Sequence, residues 1–75
     1  MVRKEEALRQ FGNRLAALRE QKKLSIPELA AAAALESELV GQIEAGQVNL
    51  LLTTILALAK GLGIPPDELL GPARE

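Results

Sequence analysis

Side chains able to do covalent or acid–base chemistry are scarce in this sequence. It contains no Cys and no His, which removes the usual thiolate nucleophile, the usual general base and the commonest metal ligand. The acids are dispersed, and no hydroxyl has a base beside it, so no pair resembles a catalytic site. The one phosphate-loop lookalike, Gly61-Leu62-Gly63, lacks a third Gly, a preceding strand and a Lys. The expectation is a protein that is not an enzyme, with no cofactor, no metal and no small-molecule substrate.

What remains is the chemistry of charged and apolar surfaces. Residues 1 to 24 carry seven cations and three anions, a net +4. Residues 25 to 59 carry no Lys or Arg at all, and Glu28, Glu36, Glu38 and Glu44 give that stretch −4. A surface that reads a nucleic-acid duplex usually has the opposite sign.

The elements that must position these groups are helices. Hydrophobic residues make up 48% of the 75 positions, with Phe11 the single aromatic, so the core must be built from Leu, Ile, Val and Ala, which suits close-packed helices better than a sheet. The length suits one small domain, residues 1 to 75, near the size at which a single core is just sufficient. The apolar runs Leu29 to Leu35 and Leu50 to Leu52 are too short to span a bilayer, and the charged start MVRKEEALRQ does not read as a secretion signal. A cytoplasmic location and no membrane partner are expected.

Leu8, Phe11, Leu15 and Leu18 recur at spacings of three and four, predicting a first helix over about Glu5 to Gln21 with that stripe as core. Arg3, Lys4, Arg9, Arg14 and Arg19 lie off the stripe, and their ordinary reading is a solvated face paired with Glu5, Glu6 and Glu20. Ser25 with Glu28 three residues on makes a capping box, and Pro27 sits in the first turn of the helix that follows, near Ile26. Leu29, Ala33, Leu35, Val40 and Ile43 continue a helical period that is interrupted once, around Ala34 to Ser37, and Gly46 offers a left-handed stop. This is the outline of a helix-turn-helix unit over about residues 25 to 46. The run Ala30 to Ala34 also favours extension, in the extreme merging the second and third helices. A fourth helix is predicted over about Thr53 to Leu62, ended by Gly61 and Gly63. A short fifth helix follows Pro65 and Pro66, with Leu69 and Leu70 packing back, and GPARE trails as a frayed tail.

The segments RLAALREQKKLS, LA and IEAG, and TTILALAKGLGIPPDELL resemble the lambda-repressor and Cro-like helix-turn-helix family over nearly the whole chain. The resemblance implies an all-α, five-helix fold. It also implies a third helix that enters a DNA major groove, with Ser37, Glu38, Leu39, Gly41 and Gln42 as readers, and with Gln47, Asn49, Arg14 and Lys22 able to touch phosphate. Departures from the family concentrate on one surface. Ile26 stands where Gln is common, Ala31 and Ala32 where charges are usual, and Ala34 where Gly is frequent.

Two functions follow. In the leading one, the DNA-reading face is converted to an apolar and acidic surface for another protein or a second copy of the chain, formed by Ile26, Ala31, Ala32, Ala34, Leu35, Ser37, Glu38, Leu39, Gly41, Leu50 and Leu51. Such a concentration of changes would also fit an engineered repressor-like scaffold. The alternative is a sequence-specific double-stranded DNA-binding transcriptional regulator, dimeric on a palindromic site.

Overall fold

In a computed structural model, which describes residues 3–71, the chain forms five α-helices: α1 (Lys4–Gln21), α2 (Ile26–Ala33), α3 (Ser37–Glu44), α4 (Leu52–Leu62) and α5 (Pro66–Leu70). Among the described residues there is no strand, and no helix is long and apolar enough to cross a membrane. The expected all-α, five-helix architecture is the one observed. Of the predicted tail, residues 72–75 fall outside the described residues.

The start of α2 is set locally. Ser25 Oγ accepts from the Glu28 N–H at 3.1 Å while the Glu28 carboxylate accepts from the Ser25 N–H at 2.7 Å, which satisfies two of the amides left orphaned at a helix start. Helices α1 to α4 all stop in the same way. In each, a left-handed residue follows the helix, at Lys23, Ala34, Gly46 and Gly63, and its amide and the next one turn back onto carbonyls of the last turn. Glycine takes that conformation freely, whereas Lys23 at φ 60° and Ala34 at φ 58° hold it against the clash of Cβ with the backbone. Helices α2 and α3 therefore do not merge. The Leu35 amide donates to the Ala30 carbonyl at 2.8 Å, and this closure outweighs the helix propensity of the alanine run.

Leu15, Leu18, Leu29, Val40, Ile43, Leu58, Leu62 and Leu69 are buried together with Ala30, Ala33 and Ala59. The buried alanines have a purpose in packing. Gly61 lies in α4 against Ala33 of α2, where an added Cβ would come within 3.1 Å of the Ala33 backbone. Gly61 is thus a contact point inside α4, and Gly63 alone ends that helix. In α5 Leu69 is buried but Leu70 is exposed, because adjacent residues of so short a helix cannot both face inward.

Candidate nucleic-acid interface

Helix α3 has an inner side packed against α1 and α2 and an outer side that no other element covers among the described residues. On the inner side, Gly12 of α1 sits directly beneath the last turn of α3, and a Cβ on Gly12 would fall 2.5 Å from the carbonyl oxygens of Ile43 and Glu44. Beside this crossing, Arg19 donates from Nε to one Glu44 carboxylate oxygen at 2.6 Å and from Nη2 to the other at 3.1 Å, and its Nη1 donates to the Leu24 carbonyl at 2.7 Å. Both side chains are nearly enclosed, 13% and 11% exposed. The Glu44 hydrogen bond raises the Arg19 pKa above its ordinary value, against the opposing pull of burial.

Arg19 is therefore not a member of the solvated cation face predicted from sequence. It ties α1 to the end of α3 and neutralises one of the four acids counted against duplex binding. Glu28 is likewise engaged at the start of α2, where hydrogen bonds from the Ser25 amide and then the Ser25 hydroxyl lower its pKa. A depressed carboxylate pKa contributes stability above the unfolded value, lost as pH falls through the folded one. Glu36 and Glu38 are the acids left free near α3: both are exposed, and neither forms an ion pair among the described residues.

The outer side of α3 presents Ser37, Glu38, Gly41, Gln42 and Ala45, while Val40 and Ile43 point inward and are buried. Ser37 and Glu38 are exposed, Gln42 is half-buried, and a Cβ built on Gly41 meets nothing within 4 Å. Leu39, also a candidate reader, turns partly toward the core. Gln47 and Asn49 are exposed in the loop after α3, and Lys22 is exposed at the end of α1. Arg14 is placed elsewhere: its Nε and Nη2 donate to the Glu68 carbonyl of α5 at 3.0 and 2.7 Å.

The residues proposed from sequence as a protein-contact patch divide in two. Ile26, Leu35, Leu39 and Leu50 fold against the core, because burial of a large apolar side chain is the more favourable outcome wherever the backbone allows it. Ala31, Ala32 and Ala34 remain exposed but are small. The exposed apolar bulk lies instead at the start of α4, where Leu51, Leu52 and Leu56 are 66%, 69% and 45% exposed. Of these, the contact patch expected from the sequence included only Leu51. The backbone of Arg9 runs against Gly46 at the end of α3, and Arg3, Lys4, Arg9, Lys22, Lys23 and Lys60 are the exposed cations among the described residues.

Comparison with known proteins matches residues 10–70 to the helix-turn-helix domain model. No curated protein matches. Among solved structures, the crystal structure of the restriction-modification controller protein C.AhdI from Aeromonas hydrophila is similar, with 47% sequence identity over 83% of this chain and 94% of that one and a TM-score of 0.81. With the capped α2, the left-handed turn at Ala34 and the free outer side of α3 in place, the chain belongs to the helix-turn-helix family, in its lambda-repressor-like branch.

Proposed function

We propose that the protein is a double-stranded DNA-binding regulator of the restriction-modification controller kind. It inserts α3 in the major groove and uses Gln47, Asn49 and Lys22 as phosphate-contact candidates. The observation that carries this is the likeness to the controller protein C.AhdI at 47% identity over 94% of that chain. Two features of the geometry support this reading against the charge and apolar pattern of the sequence. Glu44 is matched by Arg19, and of the large apolar residues of the suspected protein-contact patch Ile26, Leu35, Leu39 and Leu50 pack against the core while Leu51 stays exposed. The outer side of α3 is left uncovered, as a helix that lies in a groove requires.

Protein contact keeps a place in this reading. Leu51, Leu52 and Leu56 expose a leucine surface at the start of α4. A second copy of the chain covers it, and pairing about a two-fold axis sets two α3 helices against two half-sites. Dimerisation also doubles the number of cations on one duplex, which matters because a single chain has only six exposed cations among its described residues, spread over α1, the turn after it and α4.

The test is fluorescence anisotropy of a labelled random-sequence duplex titrated with protein at about 50 mM and about 200 mM salt, the range over which phosphate-driven binding collapses. Micromolar binding that weakens with salt is expected, and Leu52→Gln weakens it further by making the leucine surface polar without adding a charge. Absence of binding at ~100 μM, beyond the usual non-specific affinity, would overturn the reading.

A further inference from the structure

We infer that α3 reads its site from the cytosine and adenine edges of the major groove, with Glu38 accepting from a cytosine N4 amino group and Gln42 pairing with an adenine. This rests on the DNA-binding reading above and names the bases that the reading leaves open. The outer side of α3 carries Ser37, Glu38, Gly41, Gln42 and Ala45 and no cation, so the bidentate Arg or Lys contact that most often reads guanine O6 and N7 has no donor on this helix. A carboxylate repels both of those guanine acceptors. It is matched by the one base that presents an amino donor without an adjacent acceptor, cytosine, whereas the amide of Gln42 offers the donor and acceptor that adenine N7 and N6 require.

Both side chains are free for this role. Among the described residues neither the Glu38 carboxylate nor the Gln42 amide takes part in a side-chain hydrogen bond, and Glu38 has no ion-pair partner. They stand four residues apart, about one turn and ~6 Å along the axis, against ~3.4 Å per duplex step. The two bases read are therefore one or two steps apart. Between them Gly41 carries no side chain, and a Cβ there would meet nothing in the chain within 4 Å, so its absence lets the helix backbone approach an external surface at that point.

The experiment is selection from a pool of duplexes with a randomised core, carried out with the wild-type chain, Glu38→Gln, Glu38→Ala and Gln42→Ala, with thermal melting of each variant alongside. Glu38 and Gln42 hold no side-chain hydrogen-bond partner among the described residues, so all four proteins are expected to stay folded under the selection conditions, the variants losing only the first-turn charge of Glu38 or the packing of the half-buried Gln42. The wild type is expected to enrich a site with cytosine at one position and adenine one or two steps away. Glu38→Gln converts the cytosine to adenine, Glu38→Ala leaves that position degenerate with about a tenfold loss of discrimination, and Gln42→Ala blunts the adenine. An unchanged base at every position in Glu38→Gln would overturn the assignment. So would a uniform gain in affinity for all sequences in Glu38→Ala, the sign of an acid that only repels phosphate. Both of those failures occur with duplex bound. Failure of the wild type to retain any duplex at low salt would instead overturn the DNA-binding reading, and this assignment with it.

Discussion

Glu44 and Glu38 lie on the same helix and have opposite fates. Glu44 faces α1, is 11% exposed and shares two hydrogen bonds with Arg19. Glu38 is exposed and pairs with no cation among the described residues. The difference shows how a helix can be fastened by one side and offered by the other. The side toward α1 is fixed by a backbone contact too close for any side chain at Gly12 and by a charge pair that closes over it. The side toward solvent has no Cβ at Gly41 and, among the described residues, no hydrogen-bond partner for the side chains of Glu38 and Gln42. Charge counted along the chain treats the two acids as equal, but only the second is available to repel or recognise a ligand.

The largest effect is expected on the fastened side. Gly12→Ala places a methyl group 2.5 Å from two backbone carbonyl oxygens, which cannot move aside as a flexible side chain would. Separating α1 from α3 to make room costs about 2–3 kcal/mol, which in a domain of this size lowers the melting temperature by roughly 10–20 °C. The control is Gly41→Ala on the offered side, where the new Cβ meets nothing and better helix propensity holds or raises the melting temperature. Equal melting of the two variants would erase the distinction between the sides.

The charge pair provides the next test. Arg19→Met leaves the Glu44 carboxylate nearly enclosed without a partner and also removes the donor to the Leu24 carbonyl. A loss of about 2–3 kcal/mol is expected in chemical denaturation, because breaking such a pair strands the surviving charge. Adding Glu44→Leu to Arg19→Met restores most of that loss, since an apolar pair of similar volume carries no stranded charge. If the double variant were as unstable as the single one, the Leu24 carbonyl would be the important partner and the fastening of α3 would lie in Gly12 alone.

These two features also mark where the sequence stopped being legible. Helix positions followed from the period of Leu8, Phe11, Leu15 and Leu18, from the Ser25–Glu28 box and from the glycines after α3 and α4, because caps and amphipathic stripes are local. The Arg19–Glu44 pair joins residues 25 positions apart and has no local mark. The available signal was weak: Arg19 follows Leu15 by four residues and Leu18 by one, so it borders the apolar stripe instead of lying opposite it. Gly12 gave a stronger signal, as a helix-interior glycine between Phe11 and Leu15 needs a packing reason. In Leu50-Leu51-Leu52 three equal side chains meet a loop and a helix start. Periodicity there has no phase to fix, and which of them turned inward depended on the path of the chain between α3 and α4.

The smallest effect concerns the turn that separates α2 from α3. Ala34 holds φ 58° in an exposed turn closed by the backbone hydrogen bonds at the end of its own helix. The left-handed conformation costs an L-residue with a Cβ roughly 1–2 kcal/mol, and glycine avoids that cost while losing about 0.5–1 kcal/mol through the greater freedom of its unfolded chain. The balance favours Ala34→Gly by about 0.5–1 kcal/mol, a rise in melting temperature of roughly 2–8 °C. Lys23→Gly, at the corresponding position after α1, moves the same way. Neither residue belongs to the outer side of α3, so the Ala34→Gly variant keeps the base preference of the wild type while its turn is strengthened. A destabilised Ala34→Gly would mean that the alanine side chain makes a favourable contact across the turn. A changed base preference in that variant would mean that the strain at Ala34 helps set the angle at which α3 is presented.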